Sequence, residues 1–421
     1  MSALANKNDS DSNKINDDHH HDDDDEESIV FEKTVRSFAR YREFTENKRA
    51  QQLDNRVVSL VSSSKEIESL LPIHLRPSSA EFLSYRHRFS NCAKSTQTFL
   101  NRIAQNAAGG RFSPFDDSKN RQLVTFDSIS RVGSVLKSVV REFSAAGAAE
   151  REAAFSPLVD ACLRHVRQGA TILVPGAGLG RLPLEILKLG NENDKRWCVQ
   201  GNEFSYHMLF AGDFILNYCQ NGGKTPEEFL RFDANDQRGE EFEIYPYLNV
   251  TTNLMRREDQ FRSVKVPDID PVSIFNAAEG GGGGISFAAG EFEEVYGKQT
   301  NSWGGIVTCF FLDTAPIAVT YIRTIYNILE PGAIWCNIGP LLFHWSGGGI
   351  SYPGNSSFES DDKRYDISID LSFDEIREII KNVGFQILEE REGIRCDYTQ
   401  DGASLQHNEF KAVFFVARKP D

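Results

Sequence analysis

The chain has 421 residues, of which 40% are hydrophobic, so it can hold a catalytic domain with a sizeable core and a smaller second unit. Its formal charge of −15 is uneven, because residues 1–27 hold ten acids and two lysines and carry −8 of that total. The remaining body is only mildly acidic and has no basic stripe, which argues against a nucleic-acid-binding protein.

The cysteine pattern and the hydropathy of the sequence indicate the cellular compartment in which we expect the protein. Seven cysteines are scattered without a CxxC pair, so we expect neither a disulfide framework nor a metal site. No apolar signal region opens the sequence and no apolar run approaches the length of a membrane span, so we expect no membrane association. A reducing intracellular compartment follows: the cytoplasm, with the nucleus as a further one.

The first part of the chain divides into a tail and a helical region. Residues 1–28 are predicted to be a disordered acidic tail, since they contain too little apolar surface to offset ordering entropy. Their histidines and aspartates could hold a metal ion loosely, but a solvated tail is the interpretation we favour. Residues 29–166 have helical spacing and are predicted to form an all-α cap or dimerisation unit. Ser79 begins one of its helices and the glycines near residue 109 end it.

A glycine turn opens the next region, residues 167–421. Residues 171–174 are β-branched or aliphatic and predict a buried parallel strand, and residues 182–189 have the spacing of a helix that packs on it. Gly176, Gly178 and Gly180 lie between them and allow a tight reversal that brings backbone close to a ligand. Arg181 occupies the last glycine position of the dinucleotide fingerprint, which favours another cofactor. A turn without ligand is the alternative.

Acidic residues follow the next predicted strands. Glu203 ends an apolar run where nucleotide-type α/β folds place an acid on ribose hydroxyls, although a solvated strand-end acid has the same pattern. Residues 220–302 are predicted to be an irregular insertion, with a third strand at 285–289. Residues 305–312 form a continuous apolar run that predicts a central strand, and Asp313 follows at its carboxyl end, where open α/β sheets bind ligands.

The remaining elements complete an α/β pattern. Residues 330–332 are predicted as a break before a strand at 333–338, which runs directly into residues 339–345. Ser372 and Glu375 form a capping box before a helix that ends at Gly384. Two final strands, at 386–390 and 412–418, are joined by a long polar connection that contains Tyr398 and His407.

Jointly these features resemble the class I S-adenosylmethionine-dependent methyltransferases, which have a Rossmann-like seven-stranded sheet. One departure is that the acid usually found two residues before the first glycine is here Val174, followed by Pro175. The strings VPGAGLGR, QGNEFS, CFFLDTA, NIGPLLFHW and VFFVARKP resemble the carnosine N-methyltransferase family, and the resemblance covers about residues 131–420.

The resemblance implies a cofactor, S-adenosylmethionine, and an imidazole dipeptide as substrate, with carnosine converted to anserine. It implies a homodimer as well. The cofactor residues that it implies are Arg141, Gly176, Gly178, Glu203, Glu291, Phe292 and Cys309. For the substrate it implies Asp313, His344 and Tyr398, with Asp313 as the catalytic residue and Phe410 in place of a family tyrosine. That replacement removes a hydrogen bond or leaves it to His407, and Ser138 stands where the family has glutamine.

The chemistry asks for these residue types independently. An imidazole attacks only when it is neutral, with a lone pair on the attacking nitrogen. A carboxylate such as Asp313, accepting a hydrogen bond from the other ring nitrogen, would set the tautomer and stabilise the imidazolium that forms. His344 would bind the substrate carboxylate or Asp313, or is a satisfied strand-end histidine. Phe204, Tyr206 and Phe210 are more often core residues than a pocket lining, and His207 is interpreted as structural.

Three other functions stay open at this point. The same chemistry could act on histidine in a peptide or protein. A module that binds the cofactor without catalysis would keep the same fold. A nicotinamide reductase is disfavoured because Arg181 breaks the fingerprint.

Overall fold

A computed structural model of the chain describes residues 15–116, 124–219, 242–343 and 362–421. The N-terminal part is helical, as predicted. Its helices are α1 (Ile15–Ala39), α2 (Tyr41–Phe44), α3 (Gln51–Ser63), α4 (Lys65–Leu70), α5 (Ala80–Ala108), α6 (Phe126–Phe143) and α7 (Ala148–His165). A π-helical turn, Thr45–Ala50, separates α2 from α3. Asn249 donates hydrogen bonds to the hydroxyls of Tyr41 and Thr45 at this interruption, a distant contact that sequence periodicity does not report.

Predicted helix ends agree with the structure where a capping residue marks them. The Ser79 side chain accepts the backbone N–H of Phe82 at the start of α5, and Gly109 ends that helix with φ +54°. The tail differs from its prediction. Residues 1–14 lie outside the described residues, but α1 already begins at Ile15 within the segment expected to be disordered.

Strands alternate with the remaining helices. The strands are β1 (Thr171–Pro175), β2 (Cys198–Glu203), β3 (Phe242–Ile244), β4 (Val264–Val266), β5 (Gly284–Ala289), β6 (Trp303–Cys309), β7 (Leu329–Gly339), β8 (Gln386–Asp397) and β9 (Glu409–Arg418). The helices are α8 (Arg181–Glu192), α9 (Tyr206–Tyr218), α10 (Pro271–Gly281), α11 (Phe292–Tyr296), α12 (Ala318–Ile328) and α13 (Phe373–Val383). The capping box predicted at Ser372 and Glu375 begins α13.

Seven of these strands form the predicted Rossmann-like sheet, in the order β5-β2-β1-β6-β7-β9-β8. All neighbouring pairs are parallel except those of β9, which runs antiparallel to both β7 and β8. From β1 the chain first builds outward through β2 and β5, and then returns to β6 on the other side. The carboxyl ends of β1 and β6 therefore form the point at which open α/β sheets bind ligands.

Helices cover both faces of the sheet. Ile172 and Val174 of β1 face α7, α8 and α10, while Leu173 faces α11, α12 and α13. Successive side chains of a strand point to opposite faces, so a fully apolar strand is buried on both. The predicted break at residues 330–332 is instead the irregular start of β7, where the pairing with β6 shifts register.

The helical region shares its core with the sheet domain. Phe99 of α5 and Val139 of α6 are fully buried in one cluster with Leu184 of α8 and Phe214 of α9. α7 packs directly on the sheet. The boundary predicted near residue 166 therefore marks a change of secondary structure, and the hydrophobic clusters on its two sides include residues of both regions.

The predicted insertion is largely regular where it is described. Residues 220–241 lie outside the described residues, and the rest contains the antiparallel pair β3–β4, helix α10 and edge strand β5. Asp270 caps α10 and Pro271 opens it, which are ordinary helix start signals. The glycines at 280–284 end α10 and begin β5, so glycine marks a connection here and not an irregular segment. Among the described residues, no helix has the length and hydropathy needed to cross a bilayer.

Candidate active site

The glycine turn follows β1 as predicted, and its backbone conformation explains why these positions are glycines. Gly176, Gly178 and Gly180 all have positive φ, at +65°, +58° and +95°. A Cβ at Gly176 would lie 2.6 Å from the Phe311 ring, and one at Gly178 would lie 2.9 Å from Oε1 of Glu142. Any side chain here would be strained and would also collide. The turn is thus packed tightly between β6 and α6.

Two carboxylates hold the backbone of this turn. Glu203, at the end of β2, accepts the N–H groups of Gly178 at 3.0 Å, Phe204 at 3.0 Å and Ser205 at 2.9 Å. Glu142, on α6, accepts the N–H groups of Leu179 at 3.1 Å and Arg181 at 3.4 Å. Burial raises the pKa of both carboxyls, that of Glu142 to about 7, and the hydrogen bonds from the turn oppose the shift.

Sequence reasoning missed Glu142. The signal was present, because an acid stands in the apolar run VVREF directly after the predicted cofactor residue Arg141. A buried acid on an otherwise apolar helix face needs a partner, and here the partner is the glycine turn. Only the packing of α6 against that turn reveals it.

Arg181 has a structural role. It is buried, its guanidinium donates to the backbone carbonyl of Glu142 at 2.7 Å, and it pairs with Asp268 at 2.7 Å and Glu185 at 2.7 Å. Asp268 also pairs with Arg151 at 2.6 Å. The residue that breaks the dinucleotide fingerprint therefore ties α8 to α6 and to the segment after β4.

These contacts favour a cationic ligand. Helix N-termini bind phosphate through free N–H groups, but here the N–H groups of Leu179 and Arg181 are already taken by the Glu142 carboxylate. A pyrophosphate at this position would also face two carboxylates. This geometry argues against a nicotinamide dinucleotide and agrees with a ligand that carries sulfonium and ammonium charges.

Arg141 links the cofactor and substrate sides of the site. Its guanidinium lies over the Tyr398 ring, 4.6 Å from the centroid, and its Nε lies 3.8 Å from a carboxylate oxygen of Glu150. Within the described part of the chain Nε makes no hydrogen bond although it is buried. Cys309 ends β6 beside Arg141, and burial raises the pKa of its thiol to about 12, so it is a neutral thiol. The structure thus brings Arg141, Cys309 and Tyr398 together.

Asp313 lies in a short 3-10 turn directly after β6, at the edge predicted from the sequence. It is buried, and its Oδ2 accepts the backbone N–H of Leu342 at 2.9 Å. Burial raises the pKa of the Tyr398 phenol; Arg141 opposes this, while Glu142, Cys309 and Asp313 add to it. The side chains of Arg141, Glu142, Cys309 and Asp313 therefore all lie within electrostatic range of Tyr398.

A strained residue lies between Cys309 and Asp313. Phe310 has φ +53°, a conformation that costs a bulky residue about 1–3 kcal/mol. Its ring lies 5.0 Å from that of Tyr398 and 5.8 Å from that of Phe410. Phe310, Tyr398 and Phe410 thus form an aromatic wall at this end of β6, and the role of Phe410 toward the substrate stays a prediction.

Glu291 and Phe292 lie after β5, on the far side of β2 from β1. Glu291 caps α11 by accepting the N–H of Glu294 at 2.9 Å, and it accepts the hydroxyl of Tyr321 at 2.7 Å. Phe292 is buried, with its ring 5.6 Å from that of Phe311. The Phe311 ring also contacts Gly176 and lies 5.4 Å from the ring of Tyr321. Phe292 therefore connects to the turn directly through Phe311, and Glu291 connects to it through Tyr321 and Phe311.

Other predicted residues lie apart from this cluster or outside the described chain. His344 falls outside the described residues. His407 is exposed and pairs with Asp397 at 2.9 Å, so it faces a carboxylate and not the aromatic wall. Asp397, His407 and Glu409 offer three ligand atoms within 4.8 Å of one another on the surface. His207 is buried against Ser37, at 3.2 Å, and burial lowers its pKa to about 4, which agrees with a structural role.

The aromatic residues of α9 divide between core and surface. The rings of Tyr206 and Phe210 stack at 5.4 Å, and both contact Phe31 of α1. Phe204 is 71% exposed. The interpretation as core packing therefore suits Tyr206 and Phe210 but does not suit Phe204.

The fold and the site together define a class. The sheet order with one reversed strand, the glycine turn after β1, the acid that ends β2 and the acid after β6 are those of a class I methyltransferase, which uses S-adenosylmethionine. The residues fit that cofactor: Glu203 stands where ribose hydroxyls are held, and the buried Nε of Arg141 has a hydrogen bond to offer. The cofactor supplies the methyl group and its electrophilic carbon.

Comparison with known proteins narrows the class. The family model for carnosine N-methyltransferase matches residues 118–421, and the chain belongs to this family. It is 37% identical over 314 residues to carnosine N-methyltransferase unmet of Drosophila melanogaster, covering 73% of this chain but only 58% of that relative. It is 31% identical over 400 residues to carnosine N-methyltransferase of Rattus norvegicus, covering 93% of this chain and 86% of the relative. The Schizosaccharomyces pombe carnosine N-methyltransferase is 29% identical over 397 residues, covering 92% and 95%.

Proposed function

We propose that this protein transfers a methyl group from S-adenosylmethionine to an imidazole nitrogen of a histidine-containing dipeptide, carnosine, to give anserine. The observation that carries the proposal is the position of Asp313. Asp313 is a buried carboxylate at the carboxyl end of β6, two residues beyond Phe311, whose ring lies against Gly176 of the glycine turn, and its charge contributes to the raised pKa of Tyr398. The names of the relatives support the choice of acceptor.

The reaction needs little beyond alignment of the two reactants and one hydrogen-bond acceptor for the imidazole. Methyl transfer is an in-line displacement, so orientation of the nucleophile supplies much of the rate, on the order of 7–11 kcal/mol for well-placed pairs. The attacking imidazole becomes a cation as the new N–C bond forms. A carboxylate has about four acceptor positions on its two oxygens, and a carboxylate such as Asp313 that accepts the other ring N–H would stabilise that cation.

Arg141 and Tyr398 serve the same alignment. The Arg141 guanidinium packs on the face of the Tyr398 ring and holds the ring in place. The buried phenol stays neutral because its pKa is raised. Phe310 and Phe410, both half-buried, present apolar rings on this side of the site. Apolar surroundings strengthen the interaction between Asp313 and a developing imidazolium.

Substitution of Asp313 tests the proposal. We expect Asp313→Asn to lower kcat/KM for carnosine by about 10²–10⁴-fold, the range of a positioned acid or base. Binding of S-adenosylhomocysteine, measured by calorimetry, should change less than about threefold, because the cofactor pocket is built from other residues. Asp160→Asn, an exposed position on α7, is the matched control.

The acceptor is read by mass in the same assay, with carnosine, related dipeptides and a histidine-containing peptide in parallel. If the peptide is methylated and carnosine is not, the methyl acceptor is instead histidine in a peptide or protein. A wild-type protein that binds S-adenosylhomocysteine and methylates none of them would instead be a binding module. The homodimer and the cytoplasmic or nuclear location stay predictions.

A further inference from the structure

The acid that class I methyltransferases usually carry at the end of β1 is missing from this chain. Val174 and Pro175 occupy that end of the strand, and Val174 is buried in the core. A carboxylate nevertheless lies at the turn, contributed by α6. The distance of 2.9 Å between Oε1 of Glu142 and the Cβ position of Gly178 places that oxygen directly against the glycine backbone.

The two oxygens of Glu142 have different surroundings. Oε2 accepts the N–H groups of Leu179 and Arg181. For Oε1 no donor is found among the described residues, although the side chain is buried. An ionised carboxylate accepts about four hydrogen bonds, so an oxygen that lacks a donor has unused capacity. Such an oxygen beside a ligand-binding turn is suited to a cationic group of the ligand.

Neighbouring charges match one part of the cofactor. The amino-acid part of S-adenosylmethionine is a zwitterion, with a carboxylate and an ammonium on one carbon. Arg141 and Glu142 are consecutive on α6, and both reach the site: the buried Nε of Arg141 lacks a hydrogen-bond partner in the described chain, and Oε1 of Glu142 lies against Gly178 of the turn. The other charges that face Glu142 are Glu203 of β2 and the N–H groups at the start of α8.

We propose that Glu142 binds the α-ammonium group of the cofactor, taking the place of the acid that β1 lacks, while Arg141 binds the adjacent carboxylate. The inference rests on the cofactor stated under the proposed function and is independent of the methyl acceptor. The competing explanation is that Glu142 only anchors the turn through Oε2. An anchor would affect every ligand of the turn equally, whereas an ammonium ligand discriminates between ligands with and without the amino group.

The experiment therefore compares two ligands. Dissociation constants are measured by calorimetry for S-adenosylhomocysteine and for its analogue in which hydrogen replaces the α-amino group. A charge-assisted hydrogen bond corresponds to about 10- to 100-fold in affinity, so the wild type should prefer the amino ligand by about that factor. Glu142→Gln keeps an acceptor for the turn but removes the charge, and it should reduce the preference to within about threefold.

Two control variants test whether the effect is specific to the charge of Glu142. Glu185→Gln changes another carboxylate of the same network, one that pairs with Arg181 on the outer side, and it should keep the full preference. Glu142→Asp retains the charge and should keep part of it, which separates charge from folding should Glu142→Gln be unstable. Circular dichroism checks that each variant is folded.

Each other outcome overturns the inference. Equal weakening of both ligands by Glu142→Gln would reduce Glu142 to an anchor, and an unchanged preference would place the ammonium elsewhere. A wild type without preference contradicts the inference before any substitution is made. If wild type binds neither ligand, the cofactor assignment falls as well, which distinguishes failure of the proposed function from failure of this inference alone.

Discussion

Buried acids around the glycine turn make the free protein electrostatically costly at this site. Glu142 and Glu203 both have raised pKa values because burial disfavours their charged forms. Arg141 offsets only part of the cost at Glu142, and Glu203 adds to it. A cationic ligand would reverse the balance. The arrangement therefore exchanges some stability of the free protein for affinity toward a positively charged cofactor.

This exchange predicts a pH-dependent effect of Glu142→Gln on stability without ligand. The carboxyl has a pKa of about 7 when folded and an ordinary value of 4.5, so between these values the folded chain keeps a proton that the unfolded chain has released. The free energy of unfolding contributed by this group thus falls as pH rises from about 4.5 to 7 and is constant above. Removing the charge should stabilise the protein by about 1–3 kcal/mol at pH 8 and by little at pH 5.

Thermal melting of wild type and variant at the two pH values measures this difference. The variant's melting temperature should exceed that of wild type at pH 8 only. An equal shift at both pH values would mean that packing, and not ionisation, determines the effect. A lower melting temperature at pH 8 would contradict the cost assigned to the buried charge.

At the scale of elements, the connection between β8 and β9 is tethered to the start of α7. Glu150 accepts the N–H groups of Thr399 and Gln400, both at 2.8 Å, with its two carboxylate oxygens. Thr399 has φ +48°, which a β-branched residue adopts only when its surroundings impose it. The tether thereby fixes the residue next to Tyr398. The sequence showed only that this connection is longer than a hairpin requires.

We expect Glu150→Gln to disturb substrate more than cofactor. Glutamine has one carbonyl oxygen in place of two carboxylate oxygens, so one of the two N–H groups loses its partner, at a cost of about 1–3 kcal/mol. Released from its strained turn, Tyr398 should move, and KM for the dipeptide should rise about tenfold, with kcat less affected. Steady-state kinetics and calorimetry with S-adenosylhomocysteine separate the two effects.

Glu152→Gln is the matched control, since that side chain is exposed on the same helix. It should leave KM and stability unchanged. If Glu150→Gln weakens cofactor binding as strongly as it raises KM, then its contact with Arg141 matters more than the tether. That outcome would contradict the role assigned to the turn.

Across the whole molecule, the helical region packs against the sheet domain through two hydrophobic clusters, one with α8 and α9 and one with the sheet itself. Phe99 of α5 meets Phe214 of α9 with ring centroids 5.9 Å apart, and α7 covers the sheet beside β7. The turn itself is held from α6. A methyltransferase domain that starts at the predicted boundary would expose these faces and would lack both Arg141 and Glu142.

Truncation tests whether the sheet domain needs the helical region in order to fold. A fragment of residues 167–421 should fail to fold, because removing α5–α7 exposes two large apolar faces. A chain that lacks only residues 1–28 should keep its melting temperature within a few degrees, because the α1 residues that belong to the hydrophobic core lie beyond residue 28. Circular dichroism and binding of S-adenosylhomocysteine report both. A folded 167–421 fragment that binds ligand would contradict a shared core.

Sequence alone determined the features that depend on neighbouring residues. The glycine turn, the helix caps at Ser79 and Ser372, the fully apolar β6 and the acids that follow β2 and β6 were all predictable, because local backbone geometry and burial leave a short-range pattern. The family resemblance added Arg141 and Tyr398, which no local pattern indicates.

Only the tertiary structure decided what depends on distant contacts. It showed that Glu142 binds the turn, that Arg181 joins two helices from a buried position, and that Glu150 holds the strained connection at Thr399. It also showed that the helical region forms hydrophobic clusters with helices and strands of the sheet domain. Each of these joins residues from elements that are separate in the chain. A hydrogen bond across such a distance imposes no periodicity on either segment, so the fold must bring the partners together before their roles can be recognised.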